Sequence, residues 1–332
     1  MSNSELIFPA LNPSREESTE ILVLETENQL SPDARAAHLQ RRKEAETVVL
    51  HKDYGVWYTR VFDAGRLLRI FLRLTGLRRY AERNMLAVDL HTLTLEFPNL
   101  PDAFHGFRVL HLADLHIDSH PGLASQVSRV LSTVDADICL ITGDYRFGVI
   151  KSSDLVPRYL KEVINHVQAR AGIIGIMGNH DAAEDVGTLE RLGVRLLLNE
   201  AVEIRKGTES LWVAGVDDPG HFHLDDPVRA LRSVPNNAFT LFLSHTPTLY
   251  EVAAEQGVDL FLCGHTHGGQ VCFPLIGPVI TKANVARKYV SGHWTHGAMT
   301  GYTSRGIGVS GAQARFNCPP EITLIELKKT GR

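Results

Sequence analysis

The chain has 332 residues, of which 44% are hydrophobic and 22% charged, with a formal net charge of −4. That length buries a sizeable core as one large domain or two modest ones, and the charge balance gives no argument for nucleic acid as a partner, so none is expected. Cys139, Cys263, Cys272 and Cys318 form no CxxC pair and suggest no disulfide framework; no apolar run approaches the roughly 20 residues of a spanning helix; and the polar, acidic start does not read as a signal peptide. A cytoplasmic location follows as the expectation.

Residues 1–50 are polar and Glu-rich and read as a flexible or loosely docked extension. Residues 51–100 form an N-terminal segment in which Arg66, Arg69 and Arg73 recur at helical spacing, opposite Leu67, Ile70, Phe71, Leu74 and Leu77. The pattern predicts a basic amphipathic helix over Arg66–Arg83. Such a helix either lies on an anionic membrane surface or packs on the core with a solvated basic face, and the pattern leaves both open.

From residue 101 to the end, apolar runs alternate with helical patterns. Strands are expected at Phe107–Leu112, Asp137–Thr142, Ile173–Met177, Leu211–Val216, Phe239–Leu243 and Leu260–Cys263, with further runs at Gly306–Val309 and Ile322–Leu327. Helices are expected near Leu123–Val134, Leu155–Ala169 and Thr248–Gln256. Strands flanked in this way point to a layered α/β fold.

Five motifs follow apolar runs: Asp114-Leu115-His116, Gly143-Asp144, Gly178-Asn179-His180-Asp181, His245, and Gly264-His265-Thr266-His267. Sites in open α/β sheets collect beyond the carboxyl ends of strands, so these side chains are expected to converge. Residues two apart in extended chain point the same way, which would let Asp114 and His116 face one metal and His265 and His267 one cavity. Glycines 143, 178 and 264 are expected to permit sharp turns. Imidazole and carboxylate without cysteine suit manganese, iron, zinc or cobalt and disfavour a structural zinc site. About seven donors exceed what one catalytic ion needs, and fit two ions sharing a bridging carboxylate.

In this order the motifs resemble the signature of the calcineurin-like metallophosphoesterase superfamily: DxH, GD, GNH[DE], H and GHxH. The resemblance covers roughly Phe107 to Leu327 and implies a two-layered β-sandwich flanked by helices around a dinuclear site. Carried over, Asp114, His116, Asp144 and His267 hold one metal, and Asp144, Asn179, His245 and His265 the other. Manganese is the first choice of ion. His180 stands at the leaving-group oxygen, and a metal-bridging hydroxide attacks phosphorus. Asp181 would orient a neighbour.

Protein Ser/Thr phosphatases continue GD as GDYVDRG, whereas here the run is Gly143-Asp144-Tyr145-Arg146-Phe147-Gly148, which disfavours that activity. Ser304-Arg305-Gly306-Ile307-Gly308 and Arg315-Phe316-Asn317-Cys318-Pro319-Pro320-Glu321-Ile322 resemble a bacterial, often membrane-associated branch that includes a UDP-2,3-diacylglucosamine diphosphatase of lipid A synthesis. The resemblance therefore implies hydrolysis of a phosphodiester or pyrophosphate bond in a small-molecule or lipid-linked substrate, at the inner face of the membrane if the Arg66–Arg83 helix binds it. The alternatives are a soluble phosphodiesterase or phosphomonoesterase and a non-catalytic membrane-surface scaffold. Arg146 and Arg305, and with them Arg315, are candidates to clamp a phosphate, against the alternative of structural ion pairs. His293 and His296 are expected to line the cleft or a loop.

Overall fold

In the computed structural model, residues 20–27, 29–52, 70–148, 154–278, 281–311 and 313–331 are described. The first elements are β1 (Ile21–Glu25), α1 (Pro32–Lys52), α2 (Arg78–Leu86), β2 (Asp89–Phe97), β3 (Phe107–Leu112), α3 (Leu123–Leu131), β4 (Ile138–Ile141), α4 (Val156–Ile164), β5 (Ile173–Gly175), α5 (Val186–Arg191) and β6 (Val194–Leu196). Then come β7 (Glu200–Lys206), β8 (Glu209–Gly215), α6 (Pro227–Leu231), β9 (Thr240–Leu243), α7 (Tyr250–Glu255), β10 (Leu260–Cys263), β11 (Cys272–Phe273), β12 (Gly277–Pro278), β13 (Gly292–His296), β14 (Met299–Thr303) and β15 (Glu321–Lys329).

Two sheets dominate. One has the order β2-β15-β3-β4-β5-β6 and the other β1-β7-β8-β9-β10-β14-β13. The central strands β3, β4, β5 and β6 run parallel, as do β8, β9, β10 and β14. Alternation along each strand explains the layering. Val109, Ile138, Leu140, Leu241, Leu243, Leu260 and Leu262 meet in a core between the sheets. Their neighbours Leu110, Cys139 and Ile141 face outward onto Leu123, Val127, Leu160 and Val163 of α3 and α4. Phe242 and Phe261 face outward under Ala230 of α6 and Ala253 of α7. Strands covered on both faces read as unbroken apolar runs, which is why they were legible. The result is the expected two-layered β-sandwich flanked by helices.

Three expectations need correction. The first concerns residues 1–50. Residues 1–19 lie outside the described residues, but β1 pairs antiparallel with β7 along Ile21↔Lys206 to Glu25↔Val202, and α1 docks on the core. It docks through polar groups, with His38 and Arg42 buried, and a hydrophobicity pattern cannot see such an anchor. The second concerns the helix expected over Arg66–Arg83. Residues 66–69 lie outside the described residues, and the remainder breaks at Gly76 (φ 73°) into a helical turn at 70–74 and α2. Third, Gly306–Val309 is a loop rather than a strand. Its amides are spent on the site: Ile307 N donates to Ala113 O (3.0 Å) and Gly308 N to Asp114 O (2.7 Å).

Candidate metal centre

The carboxyl ends of β3, β4 and β5 meet those of β9 and β10, and all five motifs converge there. Asp114, His116, Asp144, His245 and His267 are almost completely buried, with Asn179 at 4% and His265 at 7% exposure. Three donor groups form: Asp114 with His116 and His267, Asp144 with His245 and His265, and, overlapping both, His116 with Asp144 and His180. The Asp144 carboxylate joins the first two, with Oδ2 3.3 Å from both His116 Nε2 and His245 Nε2. Asn179 Oδ1 completes the second group, 3.0 Å from His245 Nε2 and 2.9 Å from His265 Nδ1.

The convergence does not come from strand alternation. Asp114 (φ 48°), His116 (34°), Asp144 (58°), His265 (68°) and His267 (51°) all adopt left-handed backbone, which is costly for residues with a Cβ and concentrates at functional sites. Gly143 turns at φ 85°, as expected. Gly178 and Gly264 serve another need. A Cβ at Gly178 would lie 2.3 Å from Asp144 Oδ1, and one at Gly264 2.4 Å from Asp114 Oδ2, so these two make room for the carboxylates.

Backbone carbonyls fix which ring nitrogen faces inward. His116 Nδ1 donates to Arg146 O (2.8 Å) and His245 Nδ1 to Thr142 O (2.8 Å), which leaves Nε2 of each as the inward donor atom. His116 Nε2 is buried without a hydrogen-bond partner. His245 Nε2 and His265 Nδ1 point at each other across 3.2 Å. Inward lone pairs and carboxylates this close require a compensating positive charge, and the donor set fits divalent cations. Without cations the protons must supply the charge. Burial alone would lower the His245 pKa, yet Asp144 and then Asp114 raise it to about 10.

Asp181 orients its neighbours as anticipated: its carboxylate accepts from Gly178 N (2.7 Å), Asp144 N (2.8 Å) and Tyr145 N (2.8 Å). Burial, then Asp144 and Asp185, raise its pKa to about 6. His180 is half-buried. Its Nδ1 donates to Phe147 O (2.7 Å), its Nε2 lies 3.3 Å from Ser310 Oγ, and its ring stands 4.5 Å from that of His116. Burial lowers its pKa to about 3, with Asp144 pulling the other way.

Each of the three arginines is engaged by groups of the fold, although Arg146 Nη1 is buried without a hydrogen-bond partner. Arg146 is 2% exposed, with Nε 2.8 Å from Asp185 Oδ2. Arg305 Nε meets Glu321 Oε2 at 2.5 Å. Arg315 is fully buried and donates to the carbonyls of Gly308, Arg305, Gly306 and Cys318, with Nη2 3.4 Å from His267 Nδ1. Of the three side chains, only that of Arg315 touches a candidate ligand, His267. His293 and His296 sit on the edge strand β13, and His296 Nδ1 is 3.1 Å from Tyr289 Oη.

Three features escaped the sequence reading. Lys282 is exposed beside the site: its backbone carbonyl lies 3.4 Å from His265 Nε2, and Asp114 and Asp144 are near enough to act on its ammonium. Val216-Asp217-Asp218-Pro219-Gly220 closes a further strand, β8, and both acids are fully buried; its strand-end position was the available signal. Arg42 reaches the site from α1 and had no signal at all.

The calcineurin-like phosphoesterase family matches residues 107–269, and a phosphodiesterase, YaeI of Escherichia coli (strain K12), is 30% identical over 76% of this chain and 92% of its own length. The chain belongs to this family of metal-dependent phosphoester hydrolases. It is also similar to the metallophosphoesterase YkuE of Bacillus subtilis (strain 168), 27% identical over 77% of this chain and 90% of that protein. A metallophosphoesterase of Aquifex aeolicus (strain VF5) is 26% identical, over 78% of this chain and 98% of that one.

Proposed function

We propose that the protein hydrolyses a phosphodiester or pyrophosphate bond at two divalent cations, one held by Asp114, His116, Asp144 and His267, the other by Asp144, Asn179, His245 and His265. The observation that carries this reading is Asp144 Oδ2, 3.3 Å from a histidine of each group. Bound there, the cations supply a water of lowered pKa and polarise the phosphoryl oxygens. Manganese is the first candidate, with iron, zinc and cobalt suited to the same donors.

The chain's own groups do the rest. Asp181 and the carbonyls of Arg146 and Thr142 hold the ligands in register. Lys282 meets the negative charge of the phosphate. His180 stands where a leaving oxygen departs, and an anionic substrate beside it favours its protonated form, from which it protonates that oxygen.

The substrate we favour is lipid-linked, with UDP-2,3-diacylglucosamine foremost, taken from the inner face of a membrane to which the protein binds peripherally. No helix among the described residues is long and apolar enough to cross a membrane. Support comes from one rim. Ile70, Phe71, Leu74, Leu77 and Tyr80 are exposed, Leu74 at 83%, among Arg73, Arg78, Arg79 and Arg83. Across Phe316, whose ring lies 5.8 Å from Tyr80 and whose backbone forms an isolated bridge to Val271, the β11–β12 hairpin exposes Phe273, Leu275 and Ile276. Apolar side chains within a basic ring suit an anionic bilayer surface.

Co-sedimentation with phosphatidylglycerol vesicles, and turnover of UDP-2,3-diacylglucosamine against bis-p-nitrophenyl phosphate, test this reading. Salt-sensitive binding that is lost in Phe71→Glu/Leu74→Glu and weakened in Leu275→Glu is expected. Full binding by those variants, or turnover of the soluble diester alone, would replace it with a soluble phosphodiesterase.

A further inference from the structure

Arg42 lies 65 residues before the segment that the family matches, on a helix with few buried apolar side chains, yet it is among the largest fully buried side chains of the chain. Its Nη2 donates to Gly178 O (2.7 Å) and Asp181 O (2.8 Å), the two ends of the Gly178-Asn179-His180-Asp181 turn. Its Nη1 donates to Asp217, whose other oxygen lies 2.7 Å from His38 Nε2. Glu46 and the face of Phe222, 4.7 Å from the guanidinium carbon, enclose it. Burying a guanidinium is expensive unless every face is matched, and here two of the matching groups, Gly178 O and Asp181 O, belong to the turn that presents Asn179 and His180.

We propose that Arg42 is a positioning residue for the hydrolytic site: α1 acts as a strut whose guanidinium ties both ends of this turn to the Val216-Asp217-Asp218 strand end, and so fixes Asn179 and His180 relative to Asp144. The same turn is held from its other side by Asp181, which accepts from Gly178 N and Asp144 N, and by His180 N, which donates to Asp144 Oδ1 (2.8 Å). The turn is thus tied through two of its carbonyls, through the His180 amide and through the Asp181 carboxylate. Lysine keeps the charge at this position but offers one ammonium where the guanidinium makes several directed bonds.

The inference rests on the dinuclear reading for its catalytic consequence, but not for its structural one. The variants are Arg42→Lys and Arg42→Met/Asp217→Asn, the second removing both buried charges so that neither is left unpaired. In metal-free protein, amide exchange is compared between the turn and the remaining core. The Mn²⁺ affinities and the kcat and KM for bis-p-nitrophenyl phosphate follow, well below the unfolding transition. Positioning predicts faster exchange confined to the turn. It also predicts Mn²⁺ affinity at one of two sites lower by about 10–100-fold, with kcat falling and KM nearly unchanged. Unaltered exchange at the turn in a folded variant, or losses that only track the folded fraction, would overturn it. An Asp144→Ala control without effect on turnover would instead overturn the dinuclear reading and leave the exchange result standing.

Discussion

At the residue scale the site is built by forcing carboxylates and imidazoles into places they would not choose. Asp144 is buried beside His116, His180 and His245, which together hold its carboxyl well below the usual range although burial opposes this. In the proposed mechanism His180 and Lys282 are the two groups with a direct part in turnover. His180→Ala should lower kcat by roughly 10²–10⁴-fold on a diester with a poor leaving group, and distinctly less on a nitrophenyl diester, whose leaving oxygen needs little protonation. An equal loss on both would remove the proton-donor role. Lys282→Ala should raise KM more than it lowers kcat, since its charge meets the substrate before the reacting bond changes.

His111 gives a pH test away from catalysis. It is fully buried, with Nε2 3.0 Å from Thr142 Oγ1, and burial lowers its pKa to about 3. An unfolded histidine takes up a proton near pH 6.5, so between about 6.5 and 3 the unfolded chain binds more protons and stability falls as pH falls. Above that window the residue contributes no slope. His111→Gln should therefore flatten the acid limb by about 1.4 kcal/mol per pH unit within the window, as read from urea midpoints. An unchanged slope would contradict the neutral buried ring.

At the scale of elements, the strands were legible because β3, β4, β9 and β10 have both faces covered, so each is a largely apolar run ending at its motif, broken in β3 only by Arg108 and His111. The ligands were legible because chemistry constrains them by type. What sequence could not carry was the means of convergence. Asp114 and His116 share a cavity through left-handed backbone, held by the Gly306–Val309 loop, and nothing in a DxH run announces φ. Nor did α1 announce itself: its anchor is Arg42, and an arginine in a polar helix reads as solvated. The ion pairs of Arg146 with Asp185 and of Arg305 with Glu321, and the carbonyls around Arg315, were hidden for a related reason, since these partners are close only in the fold. Gly178→Ala is the sharpest test at this scale. Its Cβ would fall 2.3 Å from Asp144 Oδ1, so Mn²⁺ binding should be lost while most of the fold survives. Native affinity would mean the carboxylate has slack.

For the whole molecule, the two sheets form a base whose strand ends carry the candidate ligands from both sides. Neither sheet alone holds a complete set: Asp114, His116, Asp144 and Asn179 follow strands of one, and His245, His265 and His267 follow strands of the other. Packing between the sheets is therefore a condition for metal binding. Leu241, fully buried between them, should cost about 2–5 kcal/mol when replaced by alanine, while leaving Mn²⁺ stoichiometry unchanged below the transition. The measurement that bears most directly on the account is hydrolysis of bis-p-nitrophenyl phosphate by the manganese-loaded protein, beside Asp144→Ala and a chelator-treated sample. The account predicts turnover that both controls abolish and that returns to the chelated wild type, but not to the variant, when Mn²⁺ is restored. Turnover that persists in Asp144→Ala with its metal removed would contradict it.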